Sequence, residues 1–358
     1  MRIRTAIFTL RLFLFCALVT IFCSSGYGQD PQFSQYYANQ VLLNPAFTGA
    51  ADGPRVVMNY RRQWVAIPGS FRTMAFAYDQ NVFFGKTEHG LGMTVMTDRA
   101  GEGNLTKLDL MANYSYKLMI TRPGAKLFHA VRFGLAGGIQ QSSIDFFRLR
   151  FPDQIDPRDG QIYQTQERGF NQSYMIPDFQ TGLLYYNNYA YFSITANHLT
   201  EPTQRFFTSA LGNNADPKLP RKITVTGGVN IPFGPKSNPD MYNITPVFIY
   251  KTQGNFDQID LGAYFTFEPI VLGMYYRGSS QTYDVGGEAS KSDWGSDALI
   301  GLVGFRKGIF SFAYSYDYTI STLQNRVSGG SHELALIMEF ERNRKTKFKH
   351  RKMPCPRF

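Results

Sequence analysis

From residue 55 to residue 340 the chain alternates apolar and polar positions with a period of two. The clearest stretch is 310–318, FSFAYSYDY, where Phe310, Phe312, Tyr314, Tyr316 and Tyr318 fall on one face and Ser311, Ala313, Ser315 and Asp317 on the other. Strands with one apolar and one polar face produce this pattern. In 259–267, Leu261, Phe265 and Phe267 oppose Asp260, Gly262 and Thr266. In 223–231 Ile223 and Val229 oppose Thr224 and Thr226, and in 332–340 Leu334 and Phe340 oppose Glu333 and Glu339. In 108–117 Leu108, Leu110 and Tyr114 oppose Asp109, Asn113 and Lys117. Full charges on the polar faces are costly in a dry sandwich core but ordinary in a wet lumen.

The pattern predicts fourteen strands, at 55–64, 71–80, 89–97, 106–118, 128–140, 179–187, 189–198, 221–231, 241–251, 257–267, 270–278, 296–306, 309–317 and 331–340. Most have the length a tilted strand needs to cross a bilayer, longer than the usual five or six residues of soluble strands. Pro246 weakens the ninth, because proline removes a ladder donor. Odd-numbered connections reach roughly 38 residues, whereas even-numbered ones stay at or below roughly nine. Long loops on one rim and short turns on the other mark a transmembrane barrel. The predicted fold is therefore all-β: an antiparallel outer-membrane β-barrel of about 14 strands, with short periplasmic turns, long extracellular loops and both termini periplasmic.

Composition narrows the alternatives. The 358 residues include 31 Phe, 22 Tyr and 33 Gly, with 18% charged residues, which excludes disorder. Mean hydropathy is −0.25, and beyond the N-terminus no run reaches the roughly 18 apolar residues of a spanning helix. Residues 1–28 read as a signal peptide: Arg2, Arg4 and Arg11, the apolar run 12–22, then Gly26 and Gly28 before Gln29. Bulky Phe22 before Cys23 argues against lipidation at that cysteine. Cleavage removes Cys16 and Cys23 and leaves Cys355, so no internal disulfide is available. The net charge of +10 resides in residues 1–28 and in 341–358, where eight Lys or Arg face only Glu341. The body between them is neutral, which argues against nucleic acid as a partner. Four segments follow: the signal peptide 1–28, a periplasmic lead-in 29–54, the barrel 55–340 and a basic periplasmic tail 341–358.

Several strings in order carry a resemblance: QDPQFSQYYANQVLLNPAFTGA (29–50), NYRRQWVAIPGSF (59–71), GLGMTVMTDRAGEGN (90–104), FPDQID (151–156), IPDFQTGLLYY (176–186), NHLTEP (197–202), MYYRG (274–278), AYSYDYTISTL (313–323), GGSHELAL (329–336) and CPRF (355–358). Together they resemble the PorP/SprF family of outer-membrane proteins of the type IX secretion system. The resemblance implies a barrel serving cargo with a C-terminal sorting domain, either as core machinery or as a dedicated partner of one large surface adhesin, as in gliding motility. It implies periplasmic and outer-membrane secretion components and outer-membrane lipid as partners, and no cofactor or enzymatic activity. Its motif residues Asn44, Pro45, Phe47, Arg61, Gln63, Trp64, Cys355, Pro356, Arg357 and Phe358 become candidates for partner contact.

Other residues carry weaker signals. His89, His129, His198 and His332 sit at predicted strand ends and His350 in the tail, with no HExxH, paired-Cys or GxSxG pattern. They read as rim histidines making hydrogen bonds rather than catalysts. Asp153, Asp156 and Asp159 are weak metal candidates, since calcium needs six to eight oxygens and the spacing is not that of an EF-hand. Asn59, Arg61 and Gln63, with Asp109, Lys117, Asp260 and Arg277, line the predicted lumen. They form either a polar conduit or, preferably, a network that fills it. The basic tail is either a solvated end or a docking segment for anionic lipid or an acidic partner. Cargo would meet the loops near 141–178, 199–220 and 279–295. The competing functions are a transporter or channel for a small solute and, less favoured, a secreted β-sandwich lectin.

Overall fold

A computed structural model describes residues 30–340 apart from 86, 122–126, 150–153, 157–159, 162–172, 205–217, 236–240, 286–287 and 292–293. Fourteen strands form the wall: β1 Arg55–Gln63, β2 Phe71–Phe84, β3 Thr87–Ala100, β4 Leu105–Met119, β5 His129–Ser143, β6 Ser173–Asn187, β7 Ala190–Asn197, β8 Lys222–Val229, β9 Tyr242–Gln253, β10 Phe256–Phe267, β11 Ile270–Val285, β12 Gly295–Lys307, β13 Phe310–Thr319 and β14 Ser331–Glu339. Each pairs antiparallel with its chain neighbours. The ring closes between β1 and β14, from Arg55 opposite Glu339 to Gln63 opposite Ser331. Closure leaves no edge in the wall, so its backbone groups are satisfied within the ladder, as a bilayer requires.

The strands match the predicted segments, with the largest extensions where a ladder continues past the apolar band. β2 runs to Phe84, β6 begins at Ser173 and β11 ends at Val285. Pro246 does lie inside β9, but it falls where the ladder to the preceding strand is interrupted, between the pairs Gly228–Val247 and Ile231–Ile244. One connection departs from the expected asymmetry: 230–241, on the short-turn rim, exceeds nine residues. It contains the two-residue strand Ile231–Pro232, which pairs back on β9.

Side-chain faces follow the period of two. Phe310, Phe312 and Tyr318 are about half exposed on the outside, while Ser311, Ala313, Ser315 and Asp317 are buried within. Leu261, Phe265 and Phe267 likewise face out from Asp260, Tyr264 and Thr266. The outside is an apolar belt of the kind that meets lipid.

The interior is filled by the chain itself. Residues 30–54, expected as a periplasmic lead-in, lie inside the barrel. Asp30 meets Lys222 and Gln253 at the rim of the long connections, and the segment descends to Pro54 at the opposite rim, where Phe340 N–H donates to the Pro54 carbonyl. Asp30 and Phe340 therefore lie at opposite rims, contrary to the expectation of both ends at one. The physical reason is complementarity: a segment rich in Asn, Gln, Ser and Tyr finds its partners on a polar wall, not in bulk apolar surroundings.

Two short turns shape this plug. Asn39 caps the one-turn helix Gln40–Leu43, its Oδ1 accepting from Leu42 N–H. Asn44 caps the following turn Pro45–Phe47, accepting from Ala46 N–H at 2.8 Å with Pro45 at the first position. The Asn44 amide also donates to the wall carbonyls of Leu183 and Ile194. Where plug backbone touches wall backbone, the wall carries glycine. A Cβ on Gly90 would lie 2.0 Å from the Thr48 carbonyl oxygen, and one on Gly134 would lie 2.1 Å from Ala46 N. Gly134→Val is expected to dislodge the plug while the ring still forms. Bilayer conductance of the purified variant should then exceed that of the parent severalfold, and equal conductance would contradict the contact.

Candidate functional site

The densest chemistry in the molecule is where the plug meets the wall. At the level of Ser34 two arginines and three carboxylates converge, all buried: Arg61, Arg277, Asp260, Asp317 and Glu333. Ser34 Oγ donates to Asp317 Oδ2 at 2.6 Å and accepts from Arg61 and Arg277. The amides of Ser34 and Gln35 donate to the two oxygens of Glu333 at 2.7 and 3.1 Å. Arg61 pairs with Asp317 at 2.9 Å and Arg277 with Asp260 at 3.2 Å. Tyr36 adds its hydroxyl, which accepts from Arg277 at 2.7 Å and from Gln258 at 3.2 Å, while Lys251 lies over its ring. These wall residues come from β1, β9, β10, β11, β13 and β14, so the plug ties distant strands through one polar knot.

A second clamp holds the plug near the short-turn rim. Arg132 donates to the carbonyls of Thr48 and Gly49 at 2.8 and 2.9 Å, and Ser115 Oγ donates to Thr48 at 2.6 Å. Arg132 pairs with Glu88, which also binds Lys117. Asp79 receives Arg55 at 2.9 Å and the Gly49 amide at 2.8 Å.

A third group sits at the long-connection rim. His198, just past β7, bridges Asp178 and Asp30 at 2.8 Å on each ring nitrogen, and Lys222 reaches Asp30. Burial pushes the Asp30 carboxyl up, but the charges of Lys222 and His198 and their hydrogen bonds outweigh it and hold Asp30 well below the usual range. Burial pushes His198 down, yet the Asp30 charge and the bonds to Asp178 and Asp30 bring it up to about 9. Beside these residues a cavity of about 110 Å³ remains between plug and wall, bordered by Asp30, Tyr36, Asp109, His198 and Lys251.

The family model for the type IX secretion system membrane protein PorP/SprF matches residues 25–338, taking in both the plug and the ring. The chain belongs to the PorP/SprF family. No curated protein matches the chain. Among solved structures it is similar to the CymD monoaromatic hydrocarbon channel (10% identity over 86% of this chain and 94% of that chain, TM-score 0.42). It is also similar to CdiB from Acinetobacter baumannii (9% identity, 80% and 60%, TM-score 0.42) and to BamA from Haemophilus ducreyi lacking POTRA domains 1–3 (7% identity, 81% and 70%, TM-score 0.37). None of these likenesses bears on function.

This PorP/SprF barrel places the sequence candidates unevenly. Asn59, Arg61, Asp260 and Arg277 do line the lumen, and they form the filling network rather than an open conduit. Asn44, Pro45 and Phe47, expected at a partner surface, are buried and used to seat the plug; Phe47 packs edge-on against Tyr191. Arg61 is likewise buried. Trp64 is at the rim, its amide donating to the Gly330 carbonyl and its ring meeting Phe71 at 5.4 Å, and Gln63 ends β1 beside Ser331. Asp153, Asp159, Cys355, Pro356, Arg357 and Phe358 lie outside the described residues, and Asp156 is described only as backbone paired with Gly160. Among the described residues no group of His, Cys, Asp or Glu is placed to hold a metal ion. His89, His129 and His332 hydrogen-bond to the hydroxyls of Tyr114, Tyr185 and Tyr314. The Asp30–His198–Asp178 bridge was not foreseen, because it joins residues 168 and 20 positions apart.

Two outcomes follow from the geometry. Arg277→Ala strands Asp260 inside the lumen and is expected to lower stability by about 3–5 kcal/mol, read by urea unfolding in detergent. The raised His198 contributes stability that is complete below its unfolded value of 6.5 and lost as pH rises through about 9. The lowered Asp30 contributes above its unfolded value of 3.8, and that share is lost only as pH falls through its native value. Hydrogen exchange at residues 30–36, corrected for intrinsic rate, should therefore accelerate above pH 9. His198→Gln should abolish that pH step.

Proposed function

We propose that this chain acts in type IX secretion as a plugged outer-membrane scaffold for cargo carrying a C-terminal sorting domain, such as a gliding adhesin. The described parts of the long connections, on the rim that holds Asp30, would face the cell exterior and engage cargo. The short-turn rim and the basic tail 341–358 would face the periplasmic machinery, after removal of the signal peptide 1–28. The observation that carries this reading is the filled lumen. A segment pinned at three levels, by the ion pairs of Asp30 and by hydrogen bonds to buried wall charges, suits a rigid display surface better than a standing pore. The family membership supplies the secretion context, and the choice between core component and dedicated cargo partner follows from what binds.

The test is a pull-down of tagged protein from detergent-solubilised native outer membrane, with mass spectrometry of what is retained. Recovery of a large protein with a C-terminal sorting domain, or of periplasmic secretion components, is expected. A chain truncated after Phe340 should still insert but should lose periplasmic partners. Recovery of the barrel alone, together with unaltered surface display of cargo in a deletion strain, would overturn the proposal. Solute-selective conductance in a planar bilayer would then favour a transporter.

A further inference from the structure

The outside of β1–β3, at the rim of the long connections, departs from the apolar belt. The register places outward residues in tiers across β14, β1, β2 and β3. Leu336, Met58, Phe76 and Val95 form one tier, and Leu334, Tyr60, Met74 and Thr97 form the next toward the rim. The tier above is His332, Arg62, Arg72 and Arg99. Three arginines thus stand opposite one another on adjacent strands, an arrangement of like charges that an anion between them would relieve. No carboxylate among the described residues pairs with any of the three. Arg62 donates to Ser70 Oγ at 3.3 Å, and Arg72 and Arg99 are exposed.

The arginines border a recess of about 470 Å³, lined also by residues 65–70, by the turn at Gly101 and Asn104 and by Arg148. The wall is held in place by the Gly101 amide, which donates to the Gly69 carbonyl at 3.0 Å. Directly beneath, the two apolar tiers form an outward groove of about 440 Å³, bordered by Met58, Tyr60, Met74, Phe76, Phe312 and Leu334. Successive tiers are two residues apart, about 6.7 Å along a strand. A cationic recess is therefore stacked within a few ångströms of an acyl-sized trough, on a surface that faces lipid. Guanidinium forks match phosphate oxygens in pairs.

We propose that this surface binds one phosphorylated glycolipid of the outer leaflet, with Arg62, Arg72 and Arg99 holding its phosphate and the groove between β14 and β3 holding an acyl chain. Charge complementarity and the adjoining apolar trough select an amphiphile over free phosphate. The position at the rim of long connections selects the outer leaflet, whose lipid is a phosphorylated glycolipid. The inference rests on the barrel and its orientation and not on which cargo is carried.

The test uses the full chain in detergent micelles with bis-phosphorylated lipid A as the probe, retention being read by native mass spectrometry. The double variant Arg72→Gln, Arg99→Gln is expected to lower retention at least tenfold, while Lys307→Gln, an exposed cation at the opposite rim, leaves it unchanged. Met74→Trp, which fills the groove, is expected to lower it severalfold. Millimolar inorganic phosphate should not displace the lipid, and phosphatidylglycerol should be retained less than lipid A. If the double variant does not fold, Arg99→Gln alone should still lower retention about threefold. Equal retention by the arginine variants and the parent would overturn the site. Displacement by inorganic phosphate would reduce it to a free-anion site, and equal retention of phosphatidylglycerol would overturn the glycolipid assignment.

Discussion

Charge buried inside a barrel must be matched where it lies, and in this protein the ion pairs of the wall are completed by hydrogen bonds from the plug. Glu333 accepts the two plug amides of Ser34 and Gln35, Asp317 accepts the Ser34 hydroxyl, and the same hydroxyl accepts from Arg61 and Arg277. Without the plug these buried groups would lose the Ser34 and Gln35 donors and the Ser34 and Tyr36 hydroxyls, and taking a partner from a buried charge is costly. Ring and plug are thus one cooperative unit. The wall supplies hydrogen-bonded closure and the plug supplies the missing donors and acceptors. The glycines at 90 and 134 show the same dependence from the wall's side, since they exist where plug backbone must come closer than any Cβ allows.

Much of this was legible in residue order, for a physical reason. A strand that faces lipid on one side and a polar lumen on the other must alternate, so FSFAYSYDY announced both its conformation and its two environments. Connection lengths reported the asymmetry of the two rims, with 230–241 as the exception because its short strand folds back onto β9. The charges of Arg61, Asp260 and Arg277 at inward positions signalled a network. What they did not signal was its partner. Residues 30–54 have no sustained period, since they make isolated turns capped by Asn39 and Asn44 rather than a regular element. A lead-in of this kind reads as an external segment. The available hint was the glycines on the inward faces of strands, where the plug backbone comes close.

The same logic separates the two rims' roles. Inside, arginine is consumed by pairing. Outside, at Arg62, Arg72 and Arg99, it is left facing the membrane beside an apolar trough. The His198 bridge joins the plug's start to β6 and β8, so the segment is anchored at its beginning, middle and end. A family member built this way carries a lumen filled by its own chain. Its lumen opens only when the plug leaves all three polar clusters.

The claim on which everything else rests is that residues 30–54 occupy the lumen in the native outer membrane. Gln35 donates to Ser315 Oγ at 3.1 Å deep inside the ring. A chain carrying Gln35→Cys and Ser315→Cys, with Cys355→Ser to remove the tail thiol, tests that placement in isolated outer membranes. Mild oxidation should link the two cysteines in nearly all molecules and leave neither open to a membrane-impermeant maleimide. Free cysteines that label readily would contradict the plugged barrel.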